Sequence, residues 1–219
     1  AMPRAVLVLI VLASLAMSAA HAAPYLALGD SYTIGEGVAP EGRWPVQLAK
    51  RLRADGIAID DPRIVATTGW TTDELSAAMD AAAFAPPYAL VTLLIGVNNQ
   101  YRSRDLSNYR VEFAALLARA IALAGERADR VVVVSIPDWG VTRFARAHGR
   151  DPHRVGIEID AFNATAREIA HDRGVAFVDV TAISRAEPDA VVDDGLHPSQ
   201  AQYARWTDAI LPAARQALA

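Results

Sequence analysis

The chain has 219 residues, a formal net charge of −4 and 53% hydrophobic residues, which fits one globular domain with a full core. The acidic balance offers no basic field to attract a nucleic acid or an anionic membrane surface. No cysteine is present, which excludes thiol catalysis, disulfide bonds and lipid attachment through a cysteine.

The N-terminus has the pattern of a secretory signal peptide over residues 1–22. A basic residue, Arg4, precedes the apolar stretch Ala5–Met17, and small residues follow up to the sequence AHA at residues 20–22. The apolar stretch is shorter than the roughly 20 residues that a membrane-spanning helix needs, which disfavours a stable membrane anchor. We therefore expect cleavage after residue 22 and export to the periplasm or the medium, with residues 23–219 as a single domain.

Five short apolar runs predict β-strands. They are continuous in Val, Ile and Leu rather than alternating with polar residues, which is typical of strands covered on both faces. We therefore expect a parallel sheet. The runs are Tyr25–Leu28, Arg63–Ala66, Ala89–Ile95, Arg130–Ile136 and Val175–Val180.

Longer segments with helical periodicity separate the strands, and capping residues indicate where they begin. The alternation of strand and helix predicts right-handed crossovers and the α/β class. We expect a three-layer α/β/α sandwich with a five-stranded parallel sheet in the flavodoxin-like order 2-1-3-4-5. The helical segments are Trp44–Ala54, Thr71 or Thr72 to Phe84, Ser107 to Ala124, Asp160–Arg173 and Pro198–Leu218.

One long segment, residues 138–156, carries no predicted element. Irregular segments of this length inside a compact domain are often lids over a functional site. A solvated surface loop is the alternative, and the sequence supports both interpretations equally.

Polar residues follow the predicted strands at four places. Gly29-Asp30-Ser31 follows the first strand, residues 67–70 the second, residues 96–99 the third, and residues 194–197 come after the fifth strand and a loop. In an open parallel sheet, ligands bind beyond the carboxyl ends of the strands, where the strand order reverses. We therefore expect the four clusters to meet at one edge of the sheet.

These clusters contain the residue types that acyl transfer requires. A serine hydroxyl becomes a nucleophile when a base removes its proton, and His197 is the predicted base for Ser31. Asp194, three residues before the histidine, is predicted to hold the other imidazole nitrogen. The predicted oxyanion hole consists of the backbone N–H groups of Ser31 and Gly69 and the side-chain amide of Asn98.

Several of these residues also have ordinary structural interpretations. Ser31 could cap a helix, and Asn98 could stabilise a loop through an Asx-turn. Asp30 is expected to cap or brace the turn rather than to react. Three aromatic residues near strand ends could form the wall of a substrate pocket or belong to the core: Trp70, Tyr101 and Trp139.

With these motifs the sequence resembles the SGNH hydrolases, also called GDSL-like esterases and lipases. The segment GDSYT matches the first family block with Ser31, TTGWT the second with Gly69, and GVNN the third with Asn98. The segment DDGLHP matches the last block with Asp194 and His197. The four blocks occur in the family's order across residues 25–205.

The chain departs from the family pattern in two blocks. Asn99 stands where the third block usually has aspartate, and we expect it to support its loop without loss of activity. Residues 66–68, Ala-Thr-Thr, replace the asparagine that often opens the second block.

The resemblance implies a serine esterase that hydrolyses carboxylic esters through an acyl-enzyme, without a metal or an organic cofactor, and the N-terminal pattern implies that it is exported. It also covers lysophospholipases, acyl-thioesterases and carbohydrate deacetylases, so small-molecule, lipid and glycan esters are all candidate substrates. Outside the enzyme class, the alternative is a non-catalytic module that binds an acylated ligand or a glycan. The sequence leaves the oligomeric state open.

Overall fold

The computed structural model describes residues 22–219, so the predicted signal peptide lies, apart from its last residue, outside the described residues. The sheet consists of β1 (Tyr25–Gly29), β2 (Arg63–Ala66), β3 (Leu90–Leu94), β4 (Val131–Val134) and β5 (Ala176–Val178). All neighbouring strands pair in parallel, in the order β2-β1-β3-β4-β5. The predicted fold class and strand order are therefore confirmed.

Helices connect the strands and cover both faces of the sheet. None of those in residues 22–219 is long and apolar enough to cross a lipid bilayer. They are α1 (Ser31–Ile34), α2 (Trp44–Ala54), α3 (Thr72–Ala81), α4 (Val97–Tyr101), α5 (Leu106–Leu123), α6 (Arg143–Ala147), α7 (Pro152–Asp172), α8 (Thr181–Ala186) and α9 (Gln200–Ala217).

The direction of each crossover decides which face a helix covers. From β1 the chain first passes to β2 at one edge of the sheet and then returns through β3 and β4 to β5 at the other edge. Because each crossover is right-handed, the helix of the first crossover and the helices of the later crossovers lie on opposite faces. Accordingly α2 packs against α9, while α5 packs against α3 and α7. These two helical layers enclose the sheet and complete the three-layer sandwich.

Burial differs between the inner and the outer strands. Every residue of β1, β3 and β4 is buried, as the continuous apolar runs predict. β2 and β5 lie at the edges of the sheet and are only partly buried, although α7 and α9 contact β5 from opposite layers. β5 is also shorter than predicted, because the Val180 N–H donates to the Ser135 hydroxyl at 2.8 Å rather than to a strand.

The prediction of an irregular segment at residues 138–156 is wrong. It contains a 3-10 turn at Trp139–Val141, then α6, then the first turn of α7. Each piece begins at a side chain that accepts a backbone N–H of its first turn. These capping residues are Asp138, Thr142 and Asp151.

Several helix boundaries also differ from their predicted positions. α7 begins at Pro152 rather than Asp160, because Asp151 caps it and proline suits a first helical turn. α9 begins after Ser199, whose hydroxyl accepts the Gln202 N–H. Pro198 therefore precedes the helix. The predicted cap of α3 is confirmed at Thr71, which forms a capping box with Glu74.

The register of the three neighbouring strands places the polar clusters together. Gly29 at the end of β1 pairs with Ala66 at the end of β2 and with Leu94 at the end of β3. These strands therefore end at the same level, and the residues that follow them lie at one edge of the sheet.

Candidate active site

Ser31 lies at the point where β1 leaves the sheet. Asp30 is the N-cap of α1, a single helical turn whose first residue is Ser31. A Cβ atom on residue 29 would lie 2.5 Å from the carbonyl oxygen of Leu94, so glycine is required there by the close approach of β3. The helix stops at Gly35, which adopts a left-handed φ of 71°. This tight turn presents Ser31 to a cavity at the edge of the sheet.

The carboxyl group of Asp30 is fully buried beside the serine. Its Oδ1 accepts the N–H of Tyr32 at 3.0 Å, which confirms the predicted capping role. Its Oδ2 has no hydrogen-bond partner within residues 22–219. Burial raises the pKa of Asp30 from 3.8 to about 7, and the hydrogen bond from Tyr32 offsets only part of this effect. The side chain therefore gains and loses its proton near neutral pH.

Asp194 and His197 form a compact pair in the loop before α9. Asp194 Oδ1 accepts the N–H groups of Leu196 at 2.7 Å and of His197 at 3.0 Å, which fixes the loop around the carboxylate. Asp194 Oδ2 lies 2.6 Å from His197 Nδ1. Partial burial disfavours the charged carboxylate, but the hydrogen bonds from the imidazole and the two N–H groups outweigh it and lower the pKa of Asp194. Asp194 is therefore ionised at neutral pH and leaves Nε2 as the free imidazole nitrogen.

The three predicted oxyanion donors all line the same cavity as Ser31 and His197. Asn98 Nδ2 donates one hydrogen to the carbonyl oxygen of Trp70 at 2.9 Å, which orients the amide and leaves its second hydrogen available. Gly69 has a φ of 90°, a conformation that favours glycine. Among the described residues, the backbone N–H groups of Ser31 and Gly69 donate to no acceptor.

Asn99 supports the loop that carries Asn98, as the sequence predicts. Its side chain is fully buried and makes two hydrogen bonds to Thr72 at the start of α3. Oδ1 accepts the Thr72 N–H at 3.1 Å, and Nδ2 donates to the Thr72 hydroxyl at 2.7 Å. An amide forms both bonds without a charge, which explains how this position functions without an aspartate.

The cavity has a volume of about 210 Å³ and a mainly apolar lining. Ser31, Asn98 and His197 contribute polar groups to this lining. Tyr101 and Trp139 form a wall, with ring centroids 5.3 Å apart and the rings nearly edge to face. The remaining apolar lining comes from Tyr32, Val97, Phe144 and Leu196.

The third aromatic candidate, Trp70, does not line this cavity. Its contribution is the backbone carbonyl that holds Asn98. Phe144 also lines the cavity, and no sequence motif indicates this role. The residue lies on α6, a short helix within the segment predicted to be irregular. The signal that could have indicated this short helix is Thr142, a preferred N-cap residue directly before Arg143.

Hydrogen bonds fix the position of the Trp139 ring. Its Nε1 donates to Gln100 Oε1 at 2.8 Å, and Gln100 Nε2 donates in turn to Glu158 on α7 at 2.7 Å. Since Gln100 belongs to the same helix as Asn98, these bonds connect the cavity wall to the candidate oxyanion donor. No sequence motif indicated Gln100.

The arrangement places a hydroxyl, an imidazole paired with a carboxylate, and free N–H donors around one cavity. No hydrogen bond joins Ser31 Oγ to His197 within the part of the chain that the structure describes. In free enzymes such bonds are often long and shorten when substrate binds. Residues 22–219 contain no group of three or more His, Asp or Glu side chains placed to hold a metal ion.

Comparison with solved structures shows the same fold in several proteins. TesA is 21% identical with a TM-score of 0.68, over 89% of this chain and 99% of that one. The psychrotrophic esterase EstA from Pseudoalteromonas sp. is 16% identical with a TM-score of 0.69, over 88% and 97%. A variant of Axe2, an acetyl xylan esterase from Geobacillus stearothermophilus, is 21% identical with a TM-score of 0.66, over 90% and 96%.

The family comparison covers most of the chain. No significant match is found among curated proteins. The model of the GDSL-like Lipase/Acylhydrolase family matches residues 27–205, a range that contains all four polar clusters and the whole sheet except the first two residues of β1. The chain therefore belongs to the GDSL-like lipase/acylhydrolase family.

Proposed function

We propose that this serine ester hydrolase cleaves carboxylic esters through an acyl-enzyme formed on Ser31. The observation that carries the proposal is that Ser31, Asn98 and His197 line one cavity. The hydrogen bond between His197 Nδ1 and Asp194 Oδ2, at 2.6 Å, supports the same assignment. A cavity that combines these polar groups with a mainly apolar lining suits an ester with an apolar substituent.

In the first step, the Ser31 hydroxyl attacks the ester carbonyl carbon while His197 Nε2 takes the hydroxyl proton. The resulting imidazolium donates Nδ1–H to Asp194, which stabilises its charge. The negative charge on the former carbonyl oxygen is stabilised by the N–H groups of Ser31 and Gly69 and the Asn98 amide. The bond to the alcohol oxygen then breaks, and the proton on Nε2 passes to the departing alcohol.

In the second step, water replaces the alcohol at the same position. His197 removes a proton from the water, which attacks the acyl carbonyl and forms a second oxyanion in the same site. Collapse of this intermediate breaks the bond to Ser31 Oγ, which recovers its proton from His197. The carboxylic acid leaves, and no group besides water is consumed.

The size of the cavity favours small esters over long-chain lipids. Its volume of about 210 Å³ lies below the roughly 300–1,000 Å³ of pockets that enclose drug-sized ligands. Rates on the acetyl, butyryl and octanoyl esters of 4-nitrophenol test this. We expect kcat/KM to be highest for acetyl or butyryl, and a highest value for octanoyl would contradict the assignment.

We also propose that the protein is exported. The support is the basic residue Arg4, the apolar stretch and the AHA site at residues 20–22. Mass spectrometry of the protein recovered outside the cytoplasm of a bacterial host should give a mature chain that begins at Ala23. Recovery of the uncleaved chain in the cytoplasm alone would contradict export.

The catalytic proposal is tested by Ser31→Ala on 4-nitrophenyl butyrate. We expect kcat to fall by at least about 10³-fold, since the remaining site lacks a nucleophile. Ser107→Ala, on the exposed side of α5, is the matched control and should retain full activity. Turnover by the Ser31 variant above about a thousandth of the wild-type rate, with the thermal midpoint unchanged, would overturn the assignment.

A further inference from the structure

One wall of the cavity belongs to a basic segment of an otherwise acidic protein. Residues 143–154, RFARAHGRDPHR, contain four arginines and two histidines but only one acidic residue, while the whole chain has a net charge of −4. The segment forms α6, the following turn and the beginning of α7, and its Phe144 lines the cavity. Positive charge is therefore concentrated beside the site.

Arg150 differs from the other arginines of this segment. Within residues 22–219, no carboxylate or carbonyl oxygen accepts a hydrogen bond from its exposed guanidinium. The other three have polar partners: Arg146 with Asp189, Arg154 with Glu158, and Arg143 with the carbonyl of Val192.

The position of the Arg150 guanidinium is defined by the cavity wall. The guanidinium carbon of Arg150 lies 5.2 Å from the ring centroid of Tyr101 and 5.7 Å from that of Trp139. Both rings line the cavity, and the Arg150 backbone N–H donates to the Ala145 carbonyl at 2.9 Å, which anchors the turn. Contact with the ring faces does not use the N–H groups of a guanidinium as hydrogen-bond donors, so they stay available to a ligand.

A guanidinium at the rim of a small ester site that forms no side-chain hydrogen bond within residues 22–219 can recognise a carboxylate or a phosphate in bidentate fashion. We infer that Arg150 is a specificity-determining residue that favours ester substrates with an anionic group beyond the scissile bond. The inference rests on the proposed esterase function and adds the charge class of the substrate to it. The anionic group can belong to the acyl part or to the alcohol part.

Two matched pairs of esters test the inference and distinguish these two positions. The acyl pair is mono(4-nitrophenyl) glutarate and its neutral analogue 4-nitrophenyl methyl glutarate. The alcohol pair is 4-acetoxybenzoate and its neutral methyl ester, followed through release of the phenol. Spontaneous hydrolysis is subtracted for each ester, and the ratio of kcat/KM between anionic and neutral members is compared across variants.

We expect Arg150→Gln to lower this ratio by about three- to tenfold in at least one pair, the range for a solvent-exposed, charge-assisted contact. The neutral esters should stay within about twofold of wild type, and 0.5 M salt should reduce the difference. Arg150→Lys keeps the charge and should restore most of the ratio. Arg127→Gln removes an equal charge from the ion pair with Asp129, and should leave both ratios unchanged.

Three results would overturn the inference. They are an unchanged ratio in both pairs for Arg150→Gln, an equal loss on anionic and neutral esters, or an equal effect of Arg127→Gln. Hydrolysis of the neutral esters by the wild-type protein tests the esterase function separately. If neither neutral nor anionic esters are hydrolysed, the proposed function itself fails.

Discussion

The buried carboxyl group of Asp30 predicts a specific dependence of stability on pH. Burial raises its folded-state pKa from 3.8 to about 7. Between these two values the folded protein binds a proton that the unfolded chain has lost. The contribution of this group to the free energy of unfolding is therefore fully present below pH 4 and is lost as the pH rises through about 7.

The magnitude follows from the pH interval. Each pH unit over which the folded state holds the extra proton changes the free energy of unfolding by about 1.4 kcal/mol. From pH 5 to pH 8 the wild-type protein should therefore lose roughly 3 kcal/mol through Asp30. Three tyrosines interact electrostatically with Asp30: Tyr32, Tyr109 and Tyr203. Burial raises their pKa values, so they stay neutral over this pH range.

Asp30→Asn isolates this contribution. Asparagine keeps an oxygen that can accept the Tyr32 N–H but has no proton to exchange in this range. The effects of the substitution on packing are the same at both pH values, and all other titrating groups are common to the variant and the wild type. Both contributions therefore cancel when the difference in stability is compared between the two pH values. The stability of the variant minus that of the wild type, from urea denaturation, should rise by roughly 3 kcal/mol between pH 5 and pH 8. A change below about 1 kcal/mol would refute the reasoning.

Three further substitutions test the other parts of the site, with 4-nitrophenyl butyrate as substrate. Asn98→Ala should lower kcat by about 10²–10³-fold with little change in KM, and a change confined to KM would assign the amide to substrate binding. Asp194→Asn should lower kcat by about 10²–10⁴-fold because the imidazolium loses its counter-charge, whereas wild-type kcat would exclude that role. Gln100→Leu removes the acceptor for Trp139 Nε1 and should raise KM more than it lowers kcat. A fall in kcat at constant KM would contradict a role in positioning the wall.

The sheet could be predicted because its signals are local and redundant. The buried runs of β1, β3 and β4 are continuous apolar segments, and the handedness of crossovers restricts their order. The four polar clusters could also be placed together, since parallel strands of common register end at one edge. These inferences depend on topology and not on the packing of individual side chains.

The walls of the cavity depend on tertiary packing and could be predicted only in part. Tyr101 and Trp139 line the cavity while Trp70 does not, although all three follow strand ends in the sequence. Phe144 was missed because a five-residue helix gives too short a periodic signal among arginines. The contact of Arg150 with the Tyr101 ring joins two separate elements of the chain, and no local pattern indicates it.

The activation of Ser31 is tested most directly by labelling with a fluorophosphonate, which reacts with a serine whose proton is removed by a neighbouring base. Peptide mass spectrometry should find one adduct, on the peptide that contains Ser31. Labelling should be at least about 100-fold slower in His197→Ala, which lacks the base. Absence of an adduct, an adduct on another residue, or equal labelling of the histidine variant would contradict the account.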